Sequence, residues 1–101
     1  MNHKKNKDEY ATERNYEKVG AFLYEARLKA NLTQREVSME LGYASAQHIS
    51  NFERGLAVPP ARKLEAFVRL YKIKAEKLVD LILECERDVM LDAAAKTPRR
   101  A

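Results

Sequence analysis

The sequence predicts an all-α domain, and three observations favour that class. Helix-forming Ala, Leu, Glu, Lys and Arg are abundant among the 101 residues, whereas β-branched residues are sparse. Apolar residues recur at three- and four-residue steps in several segments, as they do on one face of a helix. Residues 32–55 (LTQREVSMELGYASAQHISNFERG) join two such segments through a glycine. We therefore expect a compact five-helix domain organised around this stretch and ending in an extended C-terminal helix.

The first helix of this stretch has a complete start and stop in the sequence. Thr33 followed three residues later by Glu36 predicts a capping box, so a helix is expected from Gln34 to Leu41. Gly42 supplies a residue that readily takes the left-handed conformation at a helix end.

The second helix of the stretch is expected over residues 46–54, with Ser45 as its N-cap and Gly55 as its stop. Ile49 and Phe52 are predicted to point inward, which leaves polar side chains outside. A short helix, a glycine turn and a second helix that begins with uncharged hydrogen-bonding side chains form a helix-turn-helix pattern.

The remaining helices follow from the same periodicity. One is expected from about 16 to 30, with Asn31 as a left-handed stop, and another from Pro60 to Tyr71. Ile73 should plug the core before a fifth helix that begins near Ala75. The predicted organisation is a polar arm (1–15), the domain (16–83), a C-terminal helix extension (84–95) and a basic tail (96–101).

Composition limits the function classes. The net charge of +4 suits a polyanionic partner without requiring one. A single cysteine, Cys85, excludes an intramolecular disulfide and fits a reducing cytoplasm. No apolar run approaches the roughly 20 residues of a membrane span, and the N-terminal lysines precede no apolar signal core. We expect a cytoplasmic protein, associated with the nucleoid if the polyanion is DNA.

The sequence gives little support to a catalytic function. His3, His48 and Cys85 are too scattered for a zinc site, and no CxxC or HxxxH spacing occurs. Ser45 and His48 lie one turn apart, but no acid is placed to orient the histidine. There is no glycine-rich phosphate loop. We expect a non-enzyme without metal or cofactor.

Residues 19–81 resemble the lambda-repressor-like, Cro-type (XRE) helix-turn-helix domain. The shared frame is an Arg in the first helix, then LTQxEV, LG, IS, ERG, a proline and a closing helical pair. The resemblance implies a five-helix bundle that binds double-stranded DNA as a dimer, with half-sites about one helical turn apart. The GYASAQHI turn is one residue longer than the usual spacing, which leaves the phase of the base-reading positions open.

The resemblance implies a role for each matching residue. Gln and Asn side chains can pair bidentately with adenine, and His can donate to guanine or phosphate. The implied base-reading residues are Ala46, Gln47, His48 and Asn51. The implied phosphate ligands are Gln34 at a helix N-terminus, Arg35, Ser45, Arg54 and Lys63. Ser45 could instead serve as a helix cap. Arg35, Arg54 and Lys63 could instead be ordinary surface charges. Arg27 and Glu53 match an ion pair that bridges the first and third helices.

The fifth helix carries more apolar residues than one side of a small domain hides. Leu78, Ile82, Cys85 and Val89 have coiled-coil spacing. Leu78, Leu81 and Ile82 are nevertheless expected to complete the core of the domain itself. We expect Leu83, Val89 and Met90 to be buried in a second subunit, which gives a homodimeric repressor as the preferred hypothesis. The alternative is an antitoxin or adaptor, with this helix as the docking surface for another protein.

Overall fold

A computed structural model of the chain describes residues 15–96, and this part contains five α-helices and no strand. The helices are α1 (Glu17–Lys29), α2 (Gln34–Leu41), α3 (Gln47–Glu53), α4 (Ala61–Tyr71) and α5 (Ala75–Lys96). The predicted all-α class with five helices is confirmed. The predicted N-terminal arm and basic tail lie, apart from their innermost residues, outside the described residues.

Each of the first four helices is followed, within two residues of its end, by a residue with a left-handed backbone. After α2, for example, the amide of Tyr43 donates to the carbonyl oxygen of Ser38 at 2.8 Å, which satisfies a helix-end carbonyl group. The sequence predicts three of these stops but not the fourth, which is a lysine. The four residues are Asn31, Gly42, Gly55 and Lys72, with φ of 64°, 79°, 80° and 55°.

The capping box of α2 is present as predicted. The amide of Glu36 donates to Thr33 Oγ1 at 3.0 Å, and the amide of Thr33 donates to Glu36 Oε1 at 2.8 Å. Two other helix starts differ slightly from expectation. Pro60 is the N-cap residue of α4 and precedes its first turn. Ala46 takes the cap position of α3, while Ser45 Oγ accepts from the backbone of Gln47 at 3.2 Å.

The core lies where the five helices meet. Its aromatic centre is a series of edge-to-face contacts, with Phe67 packed between Phe52 and Tyr71 at centroid distances of 6.0 Å and 5.5 Å. The buried apolar residues are Val19, Leu23, Ala26, Val37, Leu41, Ile49, Phe52, Phe67, Tyr71, Leu78 and Cys85.

The packed part of α5 extends beyond the boundary at residue 83 that the sequence predicted. Cys85 is buried in the core. The hydroxyl of Tyr16 donates to Glu86 Oε2 at 3.0 Å, and Lys18 Nζ lies 2.5 Å from Glu84 Oε2. These contacts join α5 to the start of α1 beyond residue 83.

The expectation that Leu78, Leu81 and Ile82 complete the core agrees with the structure. Leu78 and Cys85 are buried in the chain's own core, and Ile82 packs against that core. The series with coiled-coil spacing is therefore the inward face of α5. The apolar side chains that α5 exposes are instead Val79, Leu83, Met90 and Leu91.

Candidate nucleic-acid interface

The candidate interface is built around α3, which has one buried and one polar side. Ile49 and Phe52 are 1% and 6% exposed, so they fix the helix to the core. Gln47, Asn51 and Arg54 follow one another at four- and three-residue steps and therefore lie on one face of the same helix segment. Gln47 and Arg54 are exposed and Asn51 is half-buried.

The three side chains on this face are joined by hydrogen bonds. Gln47 Nε2 donates to Asn51 Oδ1 at 2.9 Å. Arg54 Nη2 donates to the same oxygen at 2.8 Å. The predicted base-reading residues Gln47 and Asn51 thus contact each other, and Arg54, predicted as a phosphate ligand, contacts Asn51.

His48 is placed by a residue that the sequence analysis did not single out. Its ring stacks on Tyr43, with centroids 4.9 Å apart and planes 25° from parallel. Tyr43 also packs edge-on against Phe52, and the Lys63 ammonium lies 5.0 Å from the Tyr43 ring centroid. Burial raises the pKa of Tyr43 above its usual range, whereas the charge of Arg62 opposes the shift. Tyr43 therefore fills the longer turn and holds an exposed imidazole beside the start of α3.

The two predicted phosphate-binding residues of α2 differ in the contacts that their side chains make within the domain. The Gln34 side chain donates to Glu53 Oε1 at 2.9 Å, which occupies one of its two N–H groups. Its backbone amide belongs to the first turn of α2, where amides lack intrahelical partners and favour anions. Arg35, the next residue, is exposed. The N-terminus of α2 can thus approach a phosphate through its backbone and Arg35.

The other predicted phosphate ligands and base readers lie at the helix ends. Lys63 Nζ donates to the carbonyl oxygen of Leu41 at 2.5 Å, so this ammonium serves the C-terminus of α2. Ser45 is exposed, and its hydroxyl oxygen accepts a hydrogen bond from the Gln47 amide just before α3 without occupying the N-cap position. Ala46 is half-buried at the start of α3.

An ion pair holds α3 to α1 behind this surface. Arg27 Nε lies 2.6 Å from Glu53 Oε2, and Arg27 Nη2 lies 3.1 Å from Glu53 Oε1. The two side chains are 10% and 6% exposed. Hydrogen bonding to the Glu53 carboxylate raises the pKa of Arg27, although burial opposes the shift. Arg27 also donates to the carbonyl oxygen of Leu32 at 2.9 Å, so the pair ties α1, α3 and the start of the turn before α2 together.

Gly20 allows α1 to approach α3 closely, and the sequence analysis missed it. A Cβ atom at this position would lie 2.6 Å from the carbonyl oxygen of Phe52, and closer still to that of Glu53. The only local signal is a glycine inside a helical pattern, which is unfavourable in a helix unless packing requires it.

The predicted dimer residues do not share one face. Leu83 and Met90 are 59% and 66% exposed. They lie seven residues apart and within about 20° of each other around an ideal helix, whereas Val89 is about 100° away from Met90. Val89 is half-buried. Leu83, Met90, Leu91 and Ala94 border a shallow groove on α5 together with Glu86 and Arg87; we call this the α5 face.

The part of the chain that the structure describes offers neither a cluster of metal ligands nor a membrane-spanning helix. Residues 15–96 contain no group of three or more His, Cys, Asp or Glu residues arranged to hold a metal ion. None of the helices in that range is long and apolar enough to cross a membrane.

Comparison with known proteins gives one match. A family model described as a helix-turn-helix domain matches residues 18–81. The match begins within α1, includes all of α2, α3 and α4, and ends within α5. Comparisons with curated proteins and with solved structures found no match.

Proposed function

The chain belongs to the helix-turn-helix domain family, and from this premise we propose that it is a sequence-specific regulator of transcription that binds double-stranded DNA. We assign it to the Cro type (XRE family) as a small prokaryotic or phage-type repressor that acts as a dimer in the cytoplasm. The observation that carries the proposal is the polar face of α3. Two amide side chains and a guanidinium follow one another there on a helix whose opposite side is fixed in the core.

The proposed mechanism places α3 in the major groove. Gln47, Asn51 and, beside them, His48 would read base edges, because amide and imidazole groups match the hydrogen-bonding pattern of that groove. The N-terminus of α2 and the exposed Arg35 would contact phosphates and set the register. Since phosphate neutralisation releases counterions, affinity should fall steeply as salt concentration rises.

Replacing Gln47 with alanine tests the base-reading role. On the DNA site that the protein prefers, the variant should lose about 1–3 kcal/mol of binding free energy, because it loses a bidentate contact to a base. On random DNA it should lose little. Fluorescence anisotropy with both duplexes measures the difference. Glu65→Ala is the matched control, since this exposed α4 side chain makes only an exposed ion pair with Arg69. Equal losses on both duplexes would show that Gln47 does not read a base.

The dimer proposal rests on the α5 face. Large apolar side chains that are more than half exposed are unusual on a monomer surface when they are grouped. Glu86 and Arg87 flank the line through Leu83 and Met90 on opposite sides, as helix geometry requires. In a symmetric pair of parallel α5 helices, Glu86 of each copy would therefore face Arg87 of the other copy, which gives two ion pairs. A second copy matches both the apolar residues and the two charges.

A double substitution tests the dimer. Leu83→Glu combined with Met90→Glu should convert the protein to a monomer in sedimentation equilibrium, because four carboxylates would be placed in an apolar contact. Leu28→Glu combined with Met39→Glu is the control, since these exposed apolar residues lie on α1 and α2. If the wild type is a dimer and the first variant has the same mass, the α5 face is not part of the dimer interface.

A protein-interaction module, such as an antitoxin or adaptor, is the alternative function. The same α5 face favours it, because an apolar helix surface can also receive a different protein. A wild-type chain that is a stable homodimer argues against this alternative. A monomer that aggregates in the absence of a partner argues for it.

A further inference from the structure

Two hydrogen bonds in α3 converge on one oxygen atom. Asn51 Oδ1 accepts from Gln47 Nε2 at 2.9 Å and from Arg54 Nη2 at 2.8 Å. The carbonyl oxygen of an amide has two lone pairs, so both are occupied before any ligand arrives.

The chemistry of these groups fixes how both amides are turned. The oxygen and nitrogen of an amide have nearly the same shape, and their assignment must come from the hydrogen-bond network. A guanidinium only donates, so the atom of Asn51 that meets Arg54 is the oxygen. The atom of Gln47 that meets this oxygen is then its NH2 group. Gln47 keeps its oxygen and one N–H for a ligand, whereas Asn51 keeps only the two N–H groups of Nδ2.

The two amides therefore offer different patterns to DNA. Adenine presents an acceptor, N7, and a donor, the N6 amino group, in the major groove, whereas guanine presents two acceptors, N7 and O6. Gln47 matches adenine. Asn51 matches the acceptors of guanine, because its own acceptor is occupied. We infer that α3 reads adenine through Gln47 and guanine through Asn51, and that Arg54 is a positioning residue that sets this choice.

This inference rests on the proposed function and changes one expectation drawn from the family resemblance. An asparagine on a recognition helix pairs with adenine when both its oxygen and its nitrogen are available. Here Arg54 and Gln47 already donate to Asn51 Oδ1, so this oxygen cannot accept a hydrogen bond from adenine. The specificity of Asn51 thus depends on a residue three positions further along the helix that need not contact a base.

Replacing Arg54 with methionine tests the inference through base preference. The variant keeps an unbranched aliphatic chain and releases one lone pair of Asn51 Oδ1, which can then accept from adenine. Selection from a randomised duplex pool should enrich a guanine in the wild-type motif, and Arg54→Met should shift that base towards adenine. The guanine-to-adenine ratio at that position should fall by about tenfold, the scale of one good base contact.

Two further variants make the result specific. Asn51→Asp keeps acceptors for Gln47 and Arg54 but removes the Nδ2 donors, so the guanine should be lost while the adenine read by Gln47 remains. Arg35→Met removes an exposed arginine from α2 and should weaken binding without changing the motif. Arg54→Met that weakens binding but leaves the motif unchanged would overturn the inference, as would a wild-type motif without the guanine. A wild-type chain that enriches no motif would instead reject the proposed function itself.

Discussion

Arg27→Met is expected to destabilise the domain by about 3–5 kcal/mol, because it leaves the Glu53 carboxylate buried without its counter-ion. The two side chains are 10% and 6% exposed and share two hydrogen bonds. Gln34 would remain as a neutral donor to Glu53, which does not compensate a buried charge. Since small domains are stable by only about 5–15 kcal/mol, much of the total stability depends on this pair. Urea unfolding followed by circular dichroism measures the loss.

Two control variants separate the buried charge from other effects. Arg27→Met combined with Glu53→Met should recover much of the stability, because the double variant removes both charges and leaves apolar groups. Arg69→Met removes the exposed partner of Glu65, an ion pair whose side chains are 71% and 85% exposed, and should change the free energy of unfolding by less than about 1 kcal/mol. A loss for Arg27→Met as small as that for Arg69→Met would contradict the account.

Gly20→Ala should destabilise the domain by about 2 kcal/mol in net terms, the difference between an overpacking cost of about 3 kcal/mol and a propensity gain of about 1 kcal/mol. Helix propensity alone favours alanine over glycine by about 1 kcal/mol. Against this, the new methyl group would lie 2.6 Å from the carbonyl oxygen of Phe52 and closer still to that of Glu53, and overpacking costs about 1–3 kcal/mol or more. These are backbone atoms, so α3 would have to move away from α1.

The neighbouring position supplies the matched control for Gly20. Ala21 is exposed on the same helix, so Ala21→Gly measures the propensity difference without a contact. That variant should lose about 1 kcal/mol, whereas Gly20→Ala should lose more despite its better propensity. Thermal unfolding of both variants compares them directly. A Gly20→Ala protein more stable than the wild type would show that α1 and α3 are not packed as closely as described.

Local features of the fold were predictable from the sequence because short-range chemistry determines them. A Thr followed three residues later by Glu specifies a capping box, and glycine or asparagine after an apolar segment specifies a left-handed stop. Lys72 was missed as a stop because lysine seldom takes φ of 55°, and only the surrounding packing requires it. The role of Gly20 depends on the backbone of α3, more than 30 positions away in the chain.

Spacing along a helix predicts which residues share a face, but not what that face meets. The series through Leu78 and Cys85 has coiled-coil spacing, yet it packs against α1 of the same chain, and Tyr16 and Lys18 extend that contact to Glu86. When one helix has two apolar faces, both show apolar residues at three- and four-residue steps, so the sequence does not show which face is buried. Sequence spacing therefore does not separate Val89 from Leu83 and Met90, although Val89 lies on another side of α5.

In the candidate interface, the spacing of the residues along α3 was predictable and their mutual contacts were not. The sequence places Gln47 and Asn51 four positions apart on α3, which permits a hydrogen bond between them. Whether Arg54 joins the pair depends on side-chain rotamers, which spacing does not determine. The longer turn after α2 is filled by Tyr43, whose contact with His48 depends on how the turn folds over Phe52.

Sequence-specific recognition by α3 can be measured by selecting binding sites from a randomised duplex pool at two salt concentrations. The wild-type protein is expected to enrich a palindromic motif with half-sites about one helical turn apart, and its binding should weaken steeply at the higher salt concentration. Salt-sensitive binding without any enriched motif would contradict sequence-specific recognition by α3, and a protein partner would then become the leading hypothesis for this domain.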